Sequence, residues 1–569
     1  MTGIRFKSLA VTVAASFVAM ACGGNTGGST GSETLASDQT LSFPVQDDIQ
    51  TLDPGHVQSG QDITFTSEMF VGLYGLDNSN KIVNQIATGL PDVSADGKTY
   101  TFHLRKDAKF WNGDPIKSKD VVYSWNRAAA LNDAYATVFQ PVVGFDDTSN
   151  GKTKTMSGLS PPDDYTVKAQ LTDAAGYWMS ELALWTAAVV SEQAITQGGE
   201  DSWWGKPETA VGAGPFKMTE RTPKASMAFQ PVPNWWGGST GALKNIKVEI
   251  GLDQASQVKK YEAGGFDLVG PANQPPGPDD ILRYKSDPTK QMEENIYPAG
   301  RTTWVDFQFT GNSPFAPKPG ITPGQPTAGL SADDGKLGRS AFSLAVDRAA
   351  LVDVVCAKGA TCTQATGGVI AKGLKGYVGD SKDPDAVFNA STAKADYSKW
   401  DPNGSKVRNV TYRYNTSATN TKVAQNLQSQ WKASLGITID LAPSDFPTLI
   451  GDRNAKKTIL SRGSWGADYD HPQDWFDNLW TCSAAQVGHG GVEAYCNPAM
   501  DKILQSANAS PIDRAVPQYQ QAGQMLITDN VDAVLYYNTQ TYFTHTYVKG
   551  AGFNSLYDFN WQGIRILQH

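Results

Sequence analysis

The sequence predicts an α/β protein with more than one domain. A strand, a turn and a helix follow one another in residues 96–125, and an alternating strand followed by a helix lies within residues 410–437. The chain has 569 residues, several times the typical domain length of about 100 to 150 residues. At least two hydrophobic cores are therefore expected.

The first 21 residues have the pattern of a signal peptide. Arg5 and Lys7 form a basic start, and residues 9–21 are an apolar run that ends in small residues. This run is too short for a membrane span, which needs about 20 apolar residues. Cleavage before Cys22 resembles bacterial lipoprotein processing, in which that cysteine carries the lipid, although Ala19 stands where such signals prefer leucine. Ordinary secretory cleavage at the same bond is the alternative interpretation.

Residues 22–39 are predicted to form a flexible tether. They are rich in Gly, Ser and Thr and contain no aromatic residue. Such a segment would hold the folded part of the protein away from the membrane.

The overall charge excludes some classes of partner. The formal net charge is −9 and the pI is about 5.3, which argues against nucleic acid or an anionic membrane surface as a partner. No apolar run after residue 21 is long enough to cross a bilayer, so lipid on Cys22 is the membrane attachment that we expect.

The region that follows residue 95 predicts a hairpin strand and a helix. Apolar and polar side chains alternate in residues 100–104, and the Asp-Gly pair at residues 96–97 supplies the turn before them. The Asn-Gly pair at residues 112–113 makes a second turn. Ser118 is predicted to cap a helix whose buried face includes Trp125.

Four further segments carry recognisable patterns. They are Gly212–Phe216 (GAGPF), Tyr261–Leu268 (YEAGGFDL), Arg339–Leu351 (RSAFSLAVDRAAL) and Val410–Ile437, which contains VTYRYN and a helix through Val423, Leu427 and Trp431. In the third segment Phe342, Ala345 and Val346 fall at helical spacing, which predicts an amphipathic helix.

Taken in order, these segments resemble the oligopeptide and dipeptide class of extracellular substrate-binding proteins, family 5, which serve ATP-driven (ABC) importers. Residues 94–121 resemble the family signature Ser-x-Asp-Gly-x-x-Tyr-x-Phe-x-Leu-Arg, then Phe-x-Asp/Asn-Gly-x-Pro, then Asp-Val. The departure is Lys-Ser at residues 117–118, where the family usually has Thr-Ala. The resemblance covers roughly residues 40–560.

The resemblance implies a two-lobed, type II periplasmic-binding-protein fold with a third, inserted subdomain. Lobe I would gather residues 40–75, 206–300 and 530–569, the inserted subdomain would be residues 76–205, and lobe II would be residues 301–529. The ligand would bind between lobes that close by a hinge motion.

The segment Ser464–Phe476 (SWGADYDHPQDWF) is predicted to contribute to the ligand site. It resembles the family's Gly-Trp-x-Ala-Asp-Tyr-x-Asp-Pro-x-x-Phe, in which the Asp after Ala receives the terminal ammonium of a peptide; here that residue is Asp468. Trp465, Tyr469 and Trp475 are expected beside it in the ligand-binding cleft. The alternative is that Asp468 only caps a turn. His471 stands where the family has Asp, which leaves the neighbouring contacts open.

Four cysteines follow Cys22, and three pairings are open in an oxidising compartment. The local pairings are Cys356 with Cys362 and Cys482 with Cys496, and we predict these two disulfides. Four free buried thiols are the alternative. A zinc site is less favoured, because no Cys-x-x-Cys occurs and the six histidines are scattered.

The motifs that would indicate other chemistry fail on their spacing or context. The acids of residues 468–474 lack the Asp-x-Asp-x-Asp-Gly spacing of a calcium loop. Residues 97–99 lack the first glycine of a phosphate loop. Residues 237–241 fit Gly-x-Ser-x-Gly but follow a polar turn instead of a buried strand. We therefore predict no metal, no cofactor and no catalytic residues.

The predicted function is that of a lipid-anchored substrate-binding protein of an ABC importer. It would capture short peptides between its lobes, act as a monomer and deliver the peptides to permease subunits at the outer face of the cytoplasmic membrane or in the periplasm. An envelope glycan or glycolipid is the alternative ligand. An extracellular hydrolase is a third interpretation, but no pair of acid and base residues supports it.

Overall fold

The computed structural model describes residues 34–271, 274–491, 493–552, 556 and 559–569. The predicted signal peptide, Cys22 and the first part of the predicted tether lie outside these residues.

The strands of the described residues, in chain order, are β1 Thr40–Val45, β2 Tyr74–Leu76, β3 Ile82–Asn84, β4 Asp92–Val93, β5 Thr99–His103, β6 Leu159–Asp163, β7 Thr166–Gln170, β8 Phe216–Thr222, β9 Ser226–Pro231, β10 Asn245–Ile250, β11 Leu268–Val269, β12 Glu294–Phe307, β13 Cys362–Gln364, β14 Thr411–Asn415, β15 Asp440–Ser444, β16 Leu460–Gly466, β17 Asp532–Thr544, β18 Val548–Lys549 and β19 Arg565–Ile566.

The α-helices of the same residues are α1 Gly60–Met69, α2 Ser118–Leu131, α3 Phe145–Ser149, α4 Trp178–Glu181, α5 Glu192–Gly198, α6 Gln254–Glu262, α7 Pro278–Ser286, α8 Lys336–Leu344, α9 Arg348–Val355, α10 Ala390–Trp400, α11 Ala418–Leu435, α12 Phe446–Asn454, α13 Gln473–Leu479, α14 Pro498–Asn508 and α15 Ile512–Thr528.

The first lobe is built on a four-stranded sheet in the order β1-β10-β9-β8, in which β1 runs parallel to β10 and the other pairs are antiparallel. Helix α1 packs on this sheet through Phe65, whose ring stacks between Phe43 and Phe229 at centroid distances of 6.2 and 5.6 Å. Trp561, near the C-terminus, packs against the same rings. The last residues of the chain therefore complete the core of the first lobe.

The inserted subdomain has its own antiparallel sheet, in the order β4-β5-β7-β6, and its own hydrophobic core. Trp125 of α2 is fully buried and packs edge-on against Phe102 of β5 at 5.8 Å and against Trp178 of α4 at 6.0 Å. The predicted hairpin strand and helix are confirmed. The predicted cap is wrong, because Ser118 is the first residue of α2 and its hydroxyl donates to the Asp163 carbonyl oxygen.

The second lobe contains a seven-stranded sheet in the order β11-β17-β12-β16-β14-β15, with β13 beside β17. Strands β14 and β15 are parallel, and α11 connects them across the sheet with Val423, Leu427 and Trp431 buried. The predicted first strand and helix of residues 410–437 are therefore confirmed. The second strand begins only at Asp440, because Leu435 still belongs to α11 and Gly436 caps it.

The chain passes between the lobes on two long neighbouring strands, β12 and β17. They pair antiparallel from Glu294 with Phe543 to Asp306 with Asp532, and the register shifts between Pro298 and Thr302. The chain was predicted to return to lobe I at residue 530, and this boundary needs correction. Residues 532–537 pair with residues 302–306, which also pair with β16, so they belong to the sheet of the second lobe. The other boundaries remain predictions.

The described end of the predicted tether is packed instead of free. Leu35 forms a bridge with Leu567, and the Ala36 N–H donates to the Ile566 carbonyl oxygen at 2.9 Å. The Gln39 side chain is buried and also donates to Ile566, at 2.8 Å. The tether prediction is therefore wrong for residues 34–39, because these backbone groups pair with the C-terminal segment.

The two predicted local disulfides are present in the structure. Cys356 at the end of α9 is bonded to Cys362 of β13, and Cys482 is bonded to Cys496 across a 14-residue separation. Lys456 donates to the carbonyl oxygens of His489 and Gly491 inside the second loop, at 2.9 and 2.5 Å. That loop is therefore held by both a covalent bond and a charged side chain.

Candidate functional site

The segment predicted to bind ligand leaves the second lobe beside the strands that connect the lobes. Strand β16 pairs antiparallel with β12, so that its last residue, Gly466, lies opposite Arg301. The Ala467 N–H then donates to the Gly300 carbonyl oxygen at 2.9 Å. This bond holds the start of the turn that carries Asp468, and α13 begins after the turn, at Gln473.

Asp468 is half-buried, and its side chain points across to the inserted subdomain. The Tyr135 hydroxyl donates to Asp468 Oδ1 at 3.0 Å. Burial raises the pKa of the Asp468 carboxyl above its ordinary value, whereas the Tyr135 hydrogen bond and the positive charge of Arg301 act in the opposite direction. Within the turn it is Asp474, not Asp468, that accepts a backbone hydrogen bond, from the Asp468 N–H at 3.1 Å.

Asp468 borders a cavity of about 540 Å³ between the inserted subdomain and the second lobe. Tyr135, Tyr177 and Glu181 line it from the inserted subdomain. The side chains that line it from the second lobe are Trp465, Asp468, Tyr469, Gln473, Asp474 and Asn478. The cavity has the volume and the mixed aromatic and polar lining of a small-ligand site.

A second cavity of about 170 Å³ adjoins the first and extends it toward the first lobe. Gln58, Tyr135 and Asp468 line both cavities. Ile63 of α1 and Arg301 of β12 line only the smaller one. All three units of the fold therefore contribute to one cleft, with Asp468 at the place where the two cavities meet.

Two further carboxyl groups in the cavity wall are deeply buried. Glu181 is 6% exposed and Asp474 is 1% exposed. Burial raises the pKa of both groups well above the ordinary value, and the neighbouring Asp468 charge raises that of Asp474 further. Both carboxyl groups therefore keep a proton up to a higher pH than exposed acids do.

The predicted aromatic residues lie in different places. Trp465 is half-buried in the cavity wall and donates to Asp474 Oδ2 at 3.2 Å. Tyr469 also lines the cavity, and its hydroxyl donates to Gln473 Oε1. Trp475 is 1% exposed and lies in the core of the second lobe, so its prediction as a cleft residue is wrong: it occupies the inward face of α13.

His471 is buried between the rings of Tyr177 and Tyr519. Burial lowers the pKa of its imidazole to about 3, so the ring is neutral at physiological pH. Its neighbour Asp470 turns away from the cavity, and its carboxylate pairs with Lys375 at 3.0 Å. The aspartate of the family pattern is thus replaced by an uncharged ring.

The sequence analysis did not find Tyr135, Tyr177, Glu181 or Arg301. They are far from Asp468 in the chain; for Tyr135 the separation is 333 residues. No spacing pattern links them to Ser464–Phe476, and their own surroundings carry no motif.

In the described residues no helix is both long enough and apolar enough to span a membrane.

Comparison with known proteins identifies relatives along almost the whole chain. The oligopeptide-binding proteins OppA of Escherichia coli (strain K12) and Bacillus subtilis (strain 168) are 24% and 23% identical to it. The first alignment covers 91% of this chain and 90% of that protein, and the second covers 96% of each.

Solved structures show the same fold. The unliganded open form of the periplasmic murein tripeptide binding protein MppA has a TM-score of 0.79 at 23% identity and covers 94% of this chain and 99% of that one. OppA of Listeria monocytogenes bound to peptide has a TM-score of 0.65 at 22% identity. The match covers 94% of this chain and 100% of that one. The predicted two-lobed α/β fold of type II is therefore confirmed.

The family model of bacterial extracellular solute-binding proteins, family 5 (middle region), matches residues 81–486, which include most of the inserted subdomain and the segment that carries Asp468. This chain therefore belongs to the bacterial extracellular solute-binding proteins of family 5.

Proposed function

We propose that this protein captures short peptides in the cleft between its lobes and delivers them to the permease of an ABC importer. The observation that carries the proposal is the position of Asp468, a half-buried carboxyl group at the junction of the two cavities. The relatives named as oligopeptide-binding proteins, which align along nearly the whole chain, support it.

A peptide that enters this cleft brings a charged terminal ammonium group out of water. Burying such a charge without a partner costs several kcal/mol, so a carboxylate must receive it. Asp468 is the receiving group, and the ammonium shares its carboxylate with the Tyr135 hydroxyl. A hydrogen bond between charged groups contributes about 1.5–3 kcal/mol.

The remainder of the peptide meets a wall that suits varied side chains. Trp465 and Tyr469 present ring surfaces, and Gln473 and Asn478 present polar groups. In this mode the peptide main chain pairs as an added strand, and side chains are accepted loosely. Selectivity then rests on the charged end of the peptide and on its length.

The cellular location is also part of the proposal. Processing before Cys22 would leave a lipid-anchored protein outside the cytoplasm, and relatives named as periplasmic binding proteins support an extracytoplasmic site. The protein would act there as a monomer that meets the permease in its ligand-bound form. Its role is to bind and hand over a solute without chemical change, like the binding proteins of its family.

The proposal is tested by titration calorimetry with a pool of tri- to pentapeptides and the same pool acetylated at the N-terminus. We expect the free pool to bind at least ten-fold more tightly, since the lost charged contact is worth about 1.5 kcal/mol or more. Asp468→Asn should weaken binding of the free pool by a similar factor. The matched control is Asp201→Asn, an exposed acid of the same size, which should bind like the wild type.

Equal binding of the two pools would contradict the role of Asp468. Failure of both pools to bind would contradict the peptide proposal and direct the next titration to envelope glycans, which carry no ammonium group for Asp468 to receive.

A further inference from the structure

We infer that the cleft selects peptides whose first residue carries a second positive charge, a lysine-like or arginine-like side chain that lies between Glu181 and Asp474. The inference deepens the proposed function and rests on it. It starts from the acidic groups of the larger cavity, which number three, whereas a peptide has one terminal ammonium.

Three carboxyl groups line that cavity: Glu181 from the inserted subdomain, and Asp468 and Asp474 from the second lobe. Within the described residues no lysine, arginine or histidine lines it. Asp468 receives the terminal ammonium, which leaves Glu181 and Asp474 facing the same space without a cation.

Both of these groups have one oxygen without a hydrogen bond. In the part of the chain that the structure describes, Glu181 Oε2 and Asp474 Oδ1 are buried and have no partner. A buried polar atom in this state is destabilising, and a donor from a ligand removes that cost. The two atoms therefore point to a ligand that carries hydrogen-bond donors and positive charge.

The other oxygen of Asp474 fixes the position of its carboxyl group, and so the place where a second positive charge of the ligand would lie. Asp474 Oδ2 accepts both the Asp468 N–H, at 3.1 Å, and the Trp465 indole N–H, at 3.2 Å. The carboxyl group is thus fixed next to the residue that receives the ammonium. The flexible four-carbon stem of lysine lets its ammonium reach a group beside the one that holds the terminal ammonium.

Aromatic rings complete the surroundings of the second charge. Tyr177, Trp465 and Tyr469 line the same cavity. The faces of such rings attract ammonium and guanidinium groups. An apolar first side chain would gain the ring contacts but would leave both carboxyl oxygens unpaired.

Protonation of the two acids supports the same conclusion. The titratable groups that face them are Asp468, Asp477, Tyr177 and Tyr469. Burial raises the pKa of Glu181 and of Asp474, so both keep their protons up to a higher pH than exposed carboxyl groups do. A cation lying between them favours the ionised form, so its binding releases protons to the solvent.

The experiment compares two pools of tri- to pentapeptides with random later positions and a fixed first residue, lysine in one and norleucine in the other. The two first residues have the same chain length and differ in charge. Titration calorimetry of the full protein should show the lysine pool binding about ten-fold or more tightly. Repetition in buffers of different ionisation enthalpy should show more protons released with lysine than with norleucine.

Variants locate the effect. Glu181→Gln and Asp474→Asn should each reduce the ratio of lysine-pool to norleucine-pool affinity by several-fold, and should reduce the difference in proton release. Glu208→Gln, an exposed acid of the first lobe, is the matched control and should keep the wild-type ratio. The comparison of pools on the wild-type protein needs no variant to fold.

The outcomes separate this inference from the function on which it rests. Tight but equal binding of both pools would overturn the inference and leave peptide capture intact. Absence of binding by either pool would overturn peptide capture, and the inference with it. A free diamine that bound as tightly as the lysine pool would overturn the assignment to peptides.

Discussion

Three aspartates lie within seven residues of one another in the cleft segment, and each has a different partner. Asp468 faces the cavity and accepts from Tyr135, Asp470 pairs with Lys375, and Asp474 is buried and accepts the Asp468 N–H. The carboxyl group is the same in all three residues. Its surroundings decide whether it faces the cavity, closes an ion pair or supports a neighbour.

Replacing Tyr135 by phenylalanine tests how Asp468 is kept ready for an ammonium group. The hydrogen bond from Tyr135 lowers the pKa of Asp468. In the variant the Asp468 carboxyl should therefore keep its proton up to a higher pH. Only the ionised carboxylate receives the ammonium. Peptide affinity should therefore fall on acidification in both proteins, with the midpoint displaced to higher pH in Tyr135→Phe.

Calorimetric titrations of the peptide pool between pH 4 and pH 8 measure this midpoint. Tyr165→Phe, in the turn between β6 and β7 of the same subdomain, serves as the control and should leave the midpoint in place. An identical profile for Tyr135→Phe and the wild type would show that the hydroxyl does not influence the carboxylate.

At the scale of elements, the turn between β16 and α13 is anchored at both ends. At its start the Ala467 N–H donates to Gly300, in the irregular part of β12, and at its end α13 buries Trp475 and Phe476 in the second lobe. The turn that carries Asp468 is therefore fixed to the second lobe and also contacts the strand that connects the lobes. A change in the angle of that strand would move Asp468 relative to Tyr135.

The disulfide between Cys482 and Cys496 belongs to the same scale, because it closes a loop after α13. Substituting both cysteines by serine should lower the free energy of unfolding by about 3 kcal/mol, the loop-entropy value for a loop of about 15 residues. Substituting Cys356 and Cys362 by serine should lower the free energy of unfolding by a smaller amount, because their loop is shorter.

Urea denaturation monitored by tryptophan fluorescence measures the free energy of unfolding of both double variants. Since the described residues form three large hydrophobic cores, the unfolding transition of the second lobe is the one expected to shift. A greater loss for the shorter loop would contradict the loop-entropy explanation.

At the scale of the whole molecule, the inserted subdomain contacts the second lobe directly at the edge of the cleft. The Gly176 N–H donates to the Asn508 carbonyl oxygen at 2.7 Å, and a Cβ atom on Gly176 would lie 2.0 Å from the Ser510 carbonyl oxygen. Tyr177 and His471 pack together beside this contact. Glycine at this position thus permits an approach of the two units that any other residue would prevent.

Gly176→Ala should hold the inserted subdomain away from the second lobe. We expect peptide binding to be weaker by about ten-fold or more, which corresponds to about 1.4 kcal/mol, because Tyr135 and Asp468 can no longer enclose the ligand from both sides. Small-angle scattering with saturating peptide should give a larger radius of gyration for the variant than for the wild type.

Gly89→Ala is the control for this substitution, since a Cβ atom there meets nothing within 4 Å. It should match the wild type in affinity and in radius of gyration. If Gly176→Ala had the same affinity and radius of gyration as the wild type, the contact at Gly176 would not be needed for binding.

Patterns among near neighbours in the chain were the reliable part of the sequence analysis. The alternation in residues 100–104 and the helical spacing of Val423, Leu427 and Trp431 appear as β5 and α11, because each depends on contacts along one element. The prediction of Trp475 was wrong because spacing along the chain does not show which face of a short helix points inward. The predicted cap of α2 was wrong by one residue, because the helix begins at Ser118 and its cap position is Lys117.

The sequence by itself determined the class of fold, the order of the elements, the local disulfides and the family, since these depend on short segments and their order. Only the tertiary structure decided which side chains surround Asp468. Tyr135 and Glu181 reach it from the inserted subdomain, and Arg301 lies beside it on β12. The physical reason is that the walls of a cleft come from segments far apart in the chain, and long-range packing of three separate cores sets their distances.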